Sequence, residues 1–251
     1  MAYRLTARSV VLSVLLGAHP AWATTAELLA LTAGFDIREP TLRVALTRMV
    51  AAGDLVRSAD GYRLSERLLG RQRRQDEALD PRTRDWDGSW ITVVVTTAGV
   101  AATARAAFRK ELHDVRFAEL REGVWLRPDN LCQELPVAVR DRVRVLRARD
   151  EQPAELAGRL WDLDGWSRTG HRLLREMSAA AGVPARFAVA ARMVRHLLTD
   201  PVLPAELLSP DWPGAPIRAA YSAFAAEMTT RRDDARLASR QVARPVERAA
   251  L

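Results

Sequence analysis

The stretch PTLRVALTRMVAAGDLVRSADGYRL, residues 40–64, decides the fold of the N-terminal part of the chain. Pro40 suits the first turn of a helix, which is expected to end near Gly53. Apolar side chains recur along this segment at helical spacing and form one face: Leu42, Leu46, Met49 and Val50. Asp60-Gly61 follows between two short runs in which apolar and polar residues alternate. We therefore predict a small β-hairpin with a two-residue turn directly after the helix.

Two further helices are predicted upstream of this stretch. Thr6 can cap a first helix that runs to about Gly17. Thr24 and Glu27 have the spacing of a capping box, so they predict a second, short helix that ends at Gly34. A brief turn then leads to the third helix. The order helix, helix, turn, helix, hairpin predicts a winged helix-turn-helix, a module that binds DNA.

The polar face of the third helix and the hairpin supply the predicted DNA-binding residues. Arginine and threonine side chains suit base edges and phosphates. The candidates are Arg38, Thr41, Arg43, Thr47, Arg48, Arg57 and Arg63. The alternative for any one of them is an ordinary solvated side chain. The order of the elements is therefore more specific than any single cation.

The charge balance favours an anionic partner. The chain of 251 residues carries 38 basic and 31 acidic residues, a formal net charge of +7, and its only lysine is Lys110. Guanidinium groups grip phosphates and guanine edges in a bidentate manner, so this composition suits double-stranded DNA. The alternative is that GC-rich coding alone favours arginine over lysine.

The first 23 residues allow two interpretations. A basic start, an apolar stretch from Ser9 to Ala18 and the sequence Ala21-Trp22-Ala23 together have the form of a cleaved signal peptide. The helical spacing of the same apolar residues indicates instead a first helix on which the second helix packs. We expect the segment to be retained in a cytoplasmic protein. No other apolar run approaches the length of a membrane span.

The remaining sequence predicts an α+β protein of several domains. We place a DNA-binding domain at residues 1–75 and a charged linker at 76–85. A ferredoxin-like domain is predicted at 86–150, a helical domain at 151–240 and a polar tail at 241–251. Residues 233–251 are expected to fray. Residues 65–85 are expected to be the only covalent route between the DNA-binding module and the rest.

Motifs for catalysis are absent from the sequence. Cys132 has no histidine near it in sequence, and the four histidines offer no zinc spacing. Neither a phosphate-binding glycine loop nor a nucleophile with a base at a recognisable spacing occurs. We predict no catalytic residue, no metal site and no resident cofactor.

The chain resembles the PaaX-type repressors of phenylacetate degradation over nearly its whole length. The matching stretches, in the family's order, are Ala7–Val11 with Leu15–Gly17, Thr41–Val50 with Gly53, Trp86–Trp90, Gly123–Pro128, Leu160–Leu163, and Asp200–Leu208 with Asp211–Gly214. The resemblance implies a winged helix, a central ferredoxin-like domain similar to Cas2, a C-terminal helical domain and a homodimer. It also implies release from operator DNA by an aryl-acetyl-CoA thioester such as phenylacetyl-CoA.

Two departures from the family bear on rival functions. The hairpin is shorter and less basic than is usual, which weakens its expected share of phosphate contacts. The strand that would carry a catalytic aspartate in nuclease relatives ends here in Thr96-Thr97. A metal-dependent nuclease that uses the Cas2-like domain is the second hypothesis, and an exported or structural helical protein is the third. The effector's binding residues are not carried over from the family, but we expect it to bind in the central or C-terminal region.

Overall fold

A computed structural model describes residues 5–97 and 101–242, and the side chains of residues 5–97 and 101–237. Contacts divide the chain into two compact units: residues 1–76, 173–198 and 216–251 form the first, and residues 77–172 and 199–215 the second. The chain therefore passes between the units four times. Units defined by contacts do not test domain boundaries defined along the sequence, so those boundaries stay a prediction.

The chain combines helices with two small sheets. The helices are α1 (Ala7–Leu16), α2 (Thr25–Thr32), α3 (Glu39–Ala51), α4 (Glu66–Leu79), α5 (Ala102–Asp114), α6 (Val137–Arg140), α7 (Pro153–Leu160), α8 (Leu163–Ala179), α9 (Gly182–Leu197) and α10 (Gly214–Val242). The strands are β1 (Trp22–Thr24), β2 (Leu55–Arg57), β3 (Gly61–Leu64), β4 (Ser89–Val95), β5 (Ala118–Arg121), β6 (Val124–Pro128) and β7 (Val143–Arg149). Short 3₁₀ turns lie at Ala33–Phe35 and Ala205–Leu207.

Capping boxes begin both of the first two helices. The Thr6 hydroxyl accepts from the Ser9 amide at 3.2 Å, while the Ser9 hydroxyl accepts from the Thr6 amide at 2.9 Å. At α2, the Glu27 carboxylate accepts from the Thr24 amide at 2.7 Å and the Thr24 hydroxyl accepts from the Glu27 amide at 3.1 Å. These bonds satisfy amides that have no partner within the helix. The predicted starts of both helices are confirmed.

The three-stranded sheet of the first unit differs from the predicted hairpin in two respects. Its order is β1-β3-β2, and β1 is a strand that the sequence pattern did not predict. The turn consists of Ala59-Asp60, because the Ser58 amide donates to the Gly61 carbonyl at 2.9 Å. The expected Asp60-Gly61 turn is therefore wrong by one position. Gly61 instead begins β3, where it pairs with Thr24 of β1.

Gly61 allows β1 and β3 to approach each other. A Cβ atom at this position would overlap the carbonyl of Ala23 and lie 3.0 Å from the Thr24 Cα atom. We expect Gly61→Ala to lower the free energy of unfolding by ~1–3 kcal/mol, the range of an overpacked core. Gly34→Ala is a matched control, because nothing lies within 4 Å of its added Cβ. Equal melting temperatures for the two variants would contradict this assignment.

One apolar core joins the helices of the N-terminal segment to its sheet. Its buried members are Val11, Leu12, Leu15, Leu16, Ala23, Leu28, Leu42, Leu46, Met49, Leu55, Leu64 and Leu68. The helix α4 runs to Leu79, so it includes the first residues of the predicted linker. It packs through Leu68 and also through a polar group, because the buried Gln72 amide donates to the carbonyls of Leu16 at 3.0 Å and Ala18 at 2.9 Å.

The second unit contains a four-stranded antiparallel sheet of order β5-β6-β4-β7. The connections β4-α5-β5-β6-α6-β7 and this strand order are those of a ferredoxin-like fold. Its core includes Val93, Phe108, Leu112, Phe117, Trp125 and Val143. Arg127 lies buried in the same unit and donates to the Val115 carbonyl at 2.8 Å. Burial lowers the pKa of Arg127 to about 10, so it is a cation at neutral pH.

The last helix extends further than the sequence pattern indicated. The stretch from residue 233 was expected to fray, whereas α10 continues to Val242. Arg236 explains part of this difference, because its guanidinium bonds the buried carboxylate of Glu27 at 2.8 Å. Residues 243–251 of the predicted tail lie outside the described residues. No helix among the described residues is both long and apolar enough to cross a membrane.

Candidate nucleic-acid interface

The helix α3 separates an apolar face from an exposed polar face. Leu42, Leu46 and Met49 are completely or almost completely buried. All seven predicted site residues are exposed: Arg38, Thr41, Arg43, Thr47, Arg48, Arg57 and Arg63. The helix is therefore fixed to the core along one side and presents the other side to a partner.

The outer face of α3 consists of two rows that differ in their internal bonding. Arg43 donates from Nε to Glu39 at 2.8 Å, and the Thr47 hydroxyl donates to the Arg43 carbonyl at 3.1 Å. Arg48 lies in the other row, and no carboxylate of the described chain is within ion-pair distance of its guanidinium. The structure thus distinguishes an arginine already paired within the helix from one that is available to a phosphate or a base.

Val44 is a member of this second row that the sequence interpretation missed. Thr41, Val44 and Arg48 follow one another at spacings of three and four residues, so they lie along one side of the helix. Val44 is 51% exposed, whereas Leu42 and Leu46 of the same helix are fully buried. An exposed methyl group beside threonine and arginine suits contact with a thymine methyl. Its position outside the stripe of Leu42 and Leu46 was the available signal.

A groove runs between this row and the start of α1. Thr6, Arg8, Thr41, Val44 and Arg48 all line it. Arg8 also donates to the buried carboxylate of Asp54, at 2.7 Å. Arg67 bonds the other oxygen of Asp54 at 2.5 Å. Asp54 follows the end of α3, so these two bonds fix the exposed helix against α1 and α4.

The hairpin does not bring its two arginines together. Arg57 pairs with Tyr62, and Arg63 pairs with Val56. Opposed residues in an antiparallel pair share a face, and neighbours along a strand alternate between faces. Arg57 and Arg63 therefore lie on opposite faces of the sheet. Arg38 sits at the other end of the region, directly before α3, with extended backbone angles.

The second unit contains the strand that would carry a catalytic aspartate in nuclease relatives. The strand β4 ends at Val95, and Thr96 and Thr97 follow it. Among the described residues, no three side chains of histidine, cysteine, aspartate or glutamate lie close enough to hold a metal ion. Cys132 is exposed.

Comparison with known proteins identifies three consecutive segments. Residues 6–68 match the family described as PaaX-like protein, residues 83–156 match the PaaX protein central Cas2-like domain, and residues 161–236 match the PaaX-like protein C-terminal domain. The chain belongs to the PaaX family. Membership of the PaaX family suggests a transcriptional regulator that binds DNA.

A solved structure with a similar sequence and a similar fold supports the architecture described above. An uncharacterised protein from Mycobacterium tuberculosis is 68% identical, with a TM-score of 0.82 over 92% of this chain and 99% of that chain. No curated protein matches the chain. The PaaX family and the exposed face of α3 are thus the two observations that bear on function.

Proposed function

We propose that the chain is a DNA-binding transcriptional repressor of the PaaX type. The helices α2 and α3 act as a helix-turn-helix, and the β2–β3 hairpin is its wing. The observation that carries this proposal is the exposed row Thr41, Val44 and Arg48 on a helix whose opposite face is buried. Membership of the PaaX family supports it.

The proposed repressor works as a homodimer in the cytoplasm. Two copies of α3 would enter the major groove at half-sites about one helical turn apart, as in other dimeric helix-turn-helix proteins. An aryl-acetyl-CoA thioester such as phenylacetyl-CoA would release the dimer from its operator. By linkage, operator DNA must then weaken thioester binding by the same factor.

Fluorescence anisotropy with promoter DNA from around its own gene tests the proposal. We expect binding that depends on sequence, weakens as salt is raised and is reversed by phenylacetyl-CoA. A fragment of the same length with a scrambled sequence serves as the control. Equal affinity for both fragments would contradict the proposed operator recognition. Sequence-dependent binding that phenylacetyl-CoA does not reverse would contradict only the proposed effector.

The free and the paired arginine of α3 should differ in their effect on this binding. We expect Arg48→Ala to weaken operator binding by ~1–3 kcal/mol if the side chain contacts a base. If it contacts a phosphate, the slope of log affinity against log salt concentration should become smaller by about one. The loss of affinity should then depend less on the DNA sequence. Arg43→Ala should cost less, because Arg43 must first leave Glu39.

A surface arginine outside the first unit controls for the loss of net charge. Arg105→Ala removes the same charge from the exposed surface of α5. It should leave operator affinity within about twofold of the wild type, since it belongs to the second unit and is not among the proposed DNA contacts. Wild-type affinity in both Arg43→Ala and Arg48→Ala would take α3 out of the interface.

A further inference from the structure

Two adjoining cavities lie inside the first unit, between α1 and the C-terminal helices. One is bounded by α1, α2, α9 and α10, and the other by α1, α4, α9 and α10. Both are lined by Ser13, Phe187, Tyr221 and Phe224. Helices from the two ends of the sequence thus enclose both cavities, which together we call the Phe187 cavity.

The floor of the Phe187 cavity is apolar and aromatic. The Phe187 and Phe224 rings meet edge to face with centroids 6.2 Å apart. Leu12, Leu16 and Val194 add aliphatic surface on the side of α4. Burial raises the pKa of the Tyr221 phenol, so Tyr221 keeps its proton and accepts from the Gln75 amide at 3.3 Å. Such a lining suits a compact apolar group, and an aromatic ring above all.

The rim of the cavity on the α4 side is cationic. Arg8, Arg71 and Arg195 all line it. Arg8 is already bonded to Asp54, whereas Arg71 has no carboxylate within ion-pair distance in the described part of the chain. An apolar floor beneath a guanidinium rim fits a ligand that is apolar at one end and anionic at the other.

We propose that the Phe187 cavity binds an arylacetyl group, with the anionic part of the ligand at Arg71. This deepens the proposed function, on which it rests for the consequence of binding, because it assigns the effector's site. The site belongs neither to the central domain nor to the C-terminal helices alone, since α1 forms one wall.

Packing contacts connect the Phe187 cavity to α3, the helix that is proposed to bind DNA. Phe187 packs edge to face on Phe35, with ring centroids 5.0 Å apart. Phe35 lies in the 3₁₀ turn that leads to α3, and Phe187 belongs to a cluster that includes Val10, Phe35 and Ile37. A ligand that moves Phe187 therefore moves the turn before α3, and this changes the presentation of Arg48.

Calorimetry on the full chain without DNA tests the site by itself. The probes are phenylacetate, phenylacetyl-CoA and CoA. We expect saturable binding of phenylacetyl-CoA or phenylacetate, and CoA should bind more weakly than its thioester. If neither arylacetyl probe binds, the assignment is overturned even where the chain binds operator DNA.

Two variants locate the binding within the cavity. Ser13→Leu enlarges a side chain that lines both cavities, and Arg71→Ala removes the free rim cation. Each should weaken binding of the arylacetyl probe by about tenfold, the value of one well-placed charged or apolar contact. Arg73→Ala, an exposed arginine on α4 that does not line the cavity, should bind as the wild type does. Unchanged affinity in both cavity variants would place the ligand elsewhere.

A separate variant tests whether Phe35 links the Phe187 cavity to α3. Phe35 does not line the Phe187 cavity, so Phe35→Leu should keep the affinity for the arylacetyl probe. The factor by which that probe weakens operator binding should fall by about threefold or more. An unchanged factor would overturn the Phe35 route. Operator binding measured without ligand reports on the proposed function alone, so its failure is distinguishable from a failure of the cavity.

Discussion

Replacing Glu27 with alanine is expected to lower the free energy of unfolding by about 3 kcal/mol. The Glu27 carboxylate is 1% exposed and belongs to the capping box of α2. It also bonds Arg236 of α10 at 2.8 Å, and the nearly buried Arg232 lies 3.9 Å away. Alanine would leave the Arg232 guanidinium without its counter-charge in a place where water does not replace it.

The expected loss has two physical parts. Loss of the cap bond to the Thr24 amide contributes ~1 kcal/mol. The remainder comes from the uncompensated guanidinium groups, and we place it below the usual ~3–5 kcal/mol for a broken buried pair. The smaller loss of unfolding free energy is expected because the Arg236 side chain is 38% exposed and can be hydrated.

Urea denaturation followed by far-ultraviolet circular dichroism measures this change. Glu39→Ala is the matched control, because it also removes a glutamate that pairs with an arginine, but on an exposed surface. It should change stability by less than ~0.5 kcal/mol. Adding Arg232→Ala to Glu27→Ala should recover part of the loss, because the nearly buried charge is then also removed. A Glu27→Ala variant as stable as the control would show that the buried carboxylate is not needed.

The local signals in the sequence were sufficient for most of the elements. The apolar spacing of Leu42, Leu46 and Met49 predicted α3, and Thr24 with Glu27 predicted the start of α2. Both are confirmed by burial and by the cap bonds. The strand pattern after Trp90 predicted β4. Periodicity and capping act over a few residues, so a single sequence displays them directly.

Features that depend on distant partners could not be predicted in this way. The contact of Arg236 with Glu27 spans 209 residues, so the end of α10 from residue 233 looked like a fraying tail. Strand β1 has three residues and exists only because β3 pairs with it. The predicted linker began inside α4 because the sequence from Asp76 is charged and has no apolar stripe. The helix packs partly through Gln72 and Gln75, which are buried and hydrogen-bonded.

The candidate site was also predictable from the sequence only in part. Helical position alone identified the exposed face of α3, since burial of Leu46 dictates which side chains point outwards. The pairing of Arg43 with Glu39 and the opposite faces of Arg57 and Arg63 needed coordinates. The seven residues are therefore exposed as expected, but they are not equivalent. Arg48 stands out among them, and Val44 joins them as an addition.

A chain that begins at Thr24 is expected not to fold. Such a chain lacks α1, and with it Val10, Val11, Leu15 and Leu16, all of them buried. Burying an aliphatic side chain contributes ~1.5–3 kcal/mol, so these four contribute on the order of 6–12 kcal/mol. That is comparable to the whole stability of a typical protein. The truncation also opens the apolar faces of α2 and α3 and removes one wall of the Phe187 cavity.

Circular dichroism and limited proteolysis of the truncated chain test this expectation, with Val11→Ala and Leu15→Ala in the full chain as graded controls. Each control should lose ~1–5 kcal/mol of unfolding free energy and still fold.

The same reasoning bears on the signal-peptide interpretation, because cleavage after Ala23 would remove α1 and split β1. Intact mass measurement on protein isolated from its own cells should therefore find residues 1–23 in place, apart from processing of the initiator methionine. A mature chain starting at Thr24 that is folded and protease-resistant would contradict the requirement for α1 in the core, and would make export the better interpretation.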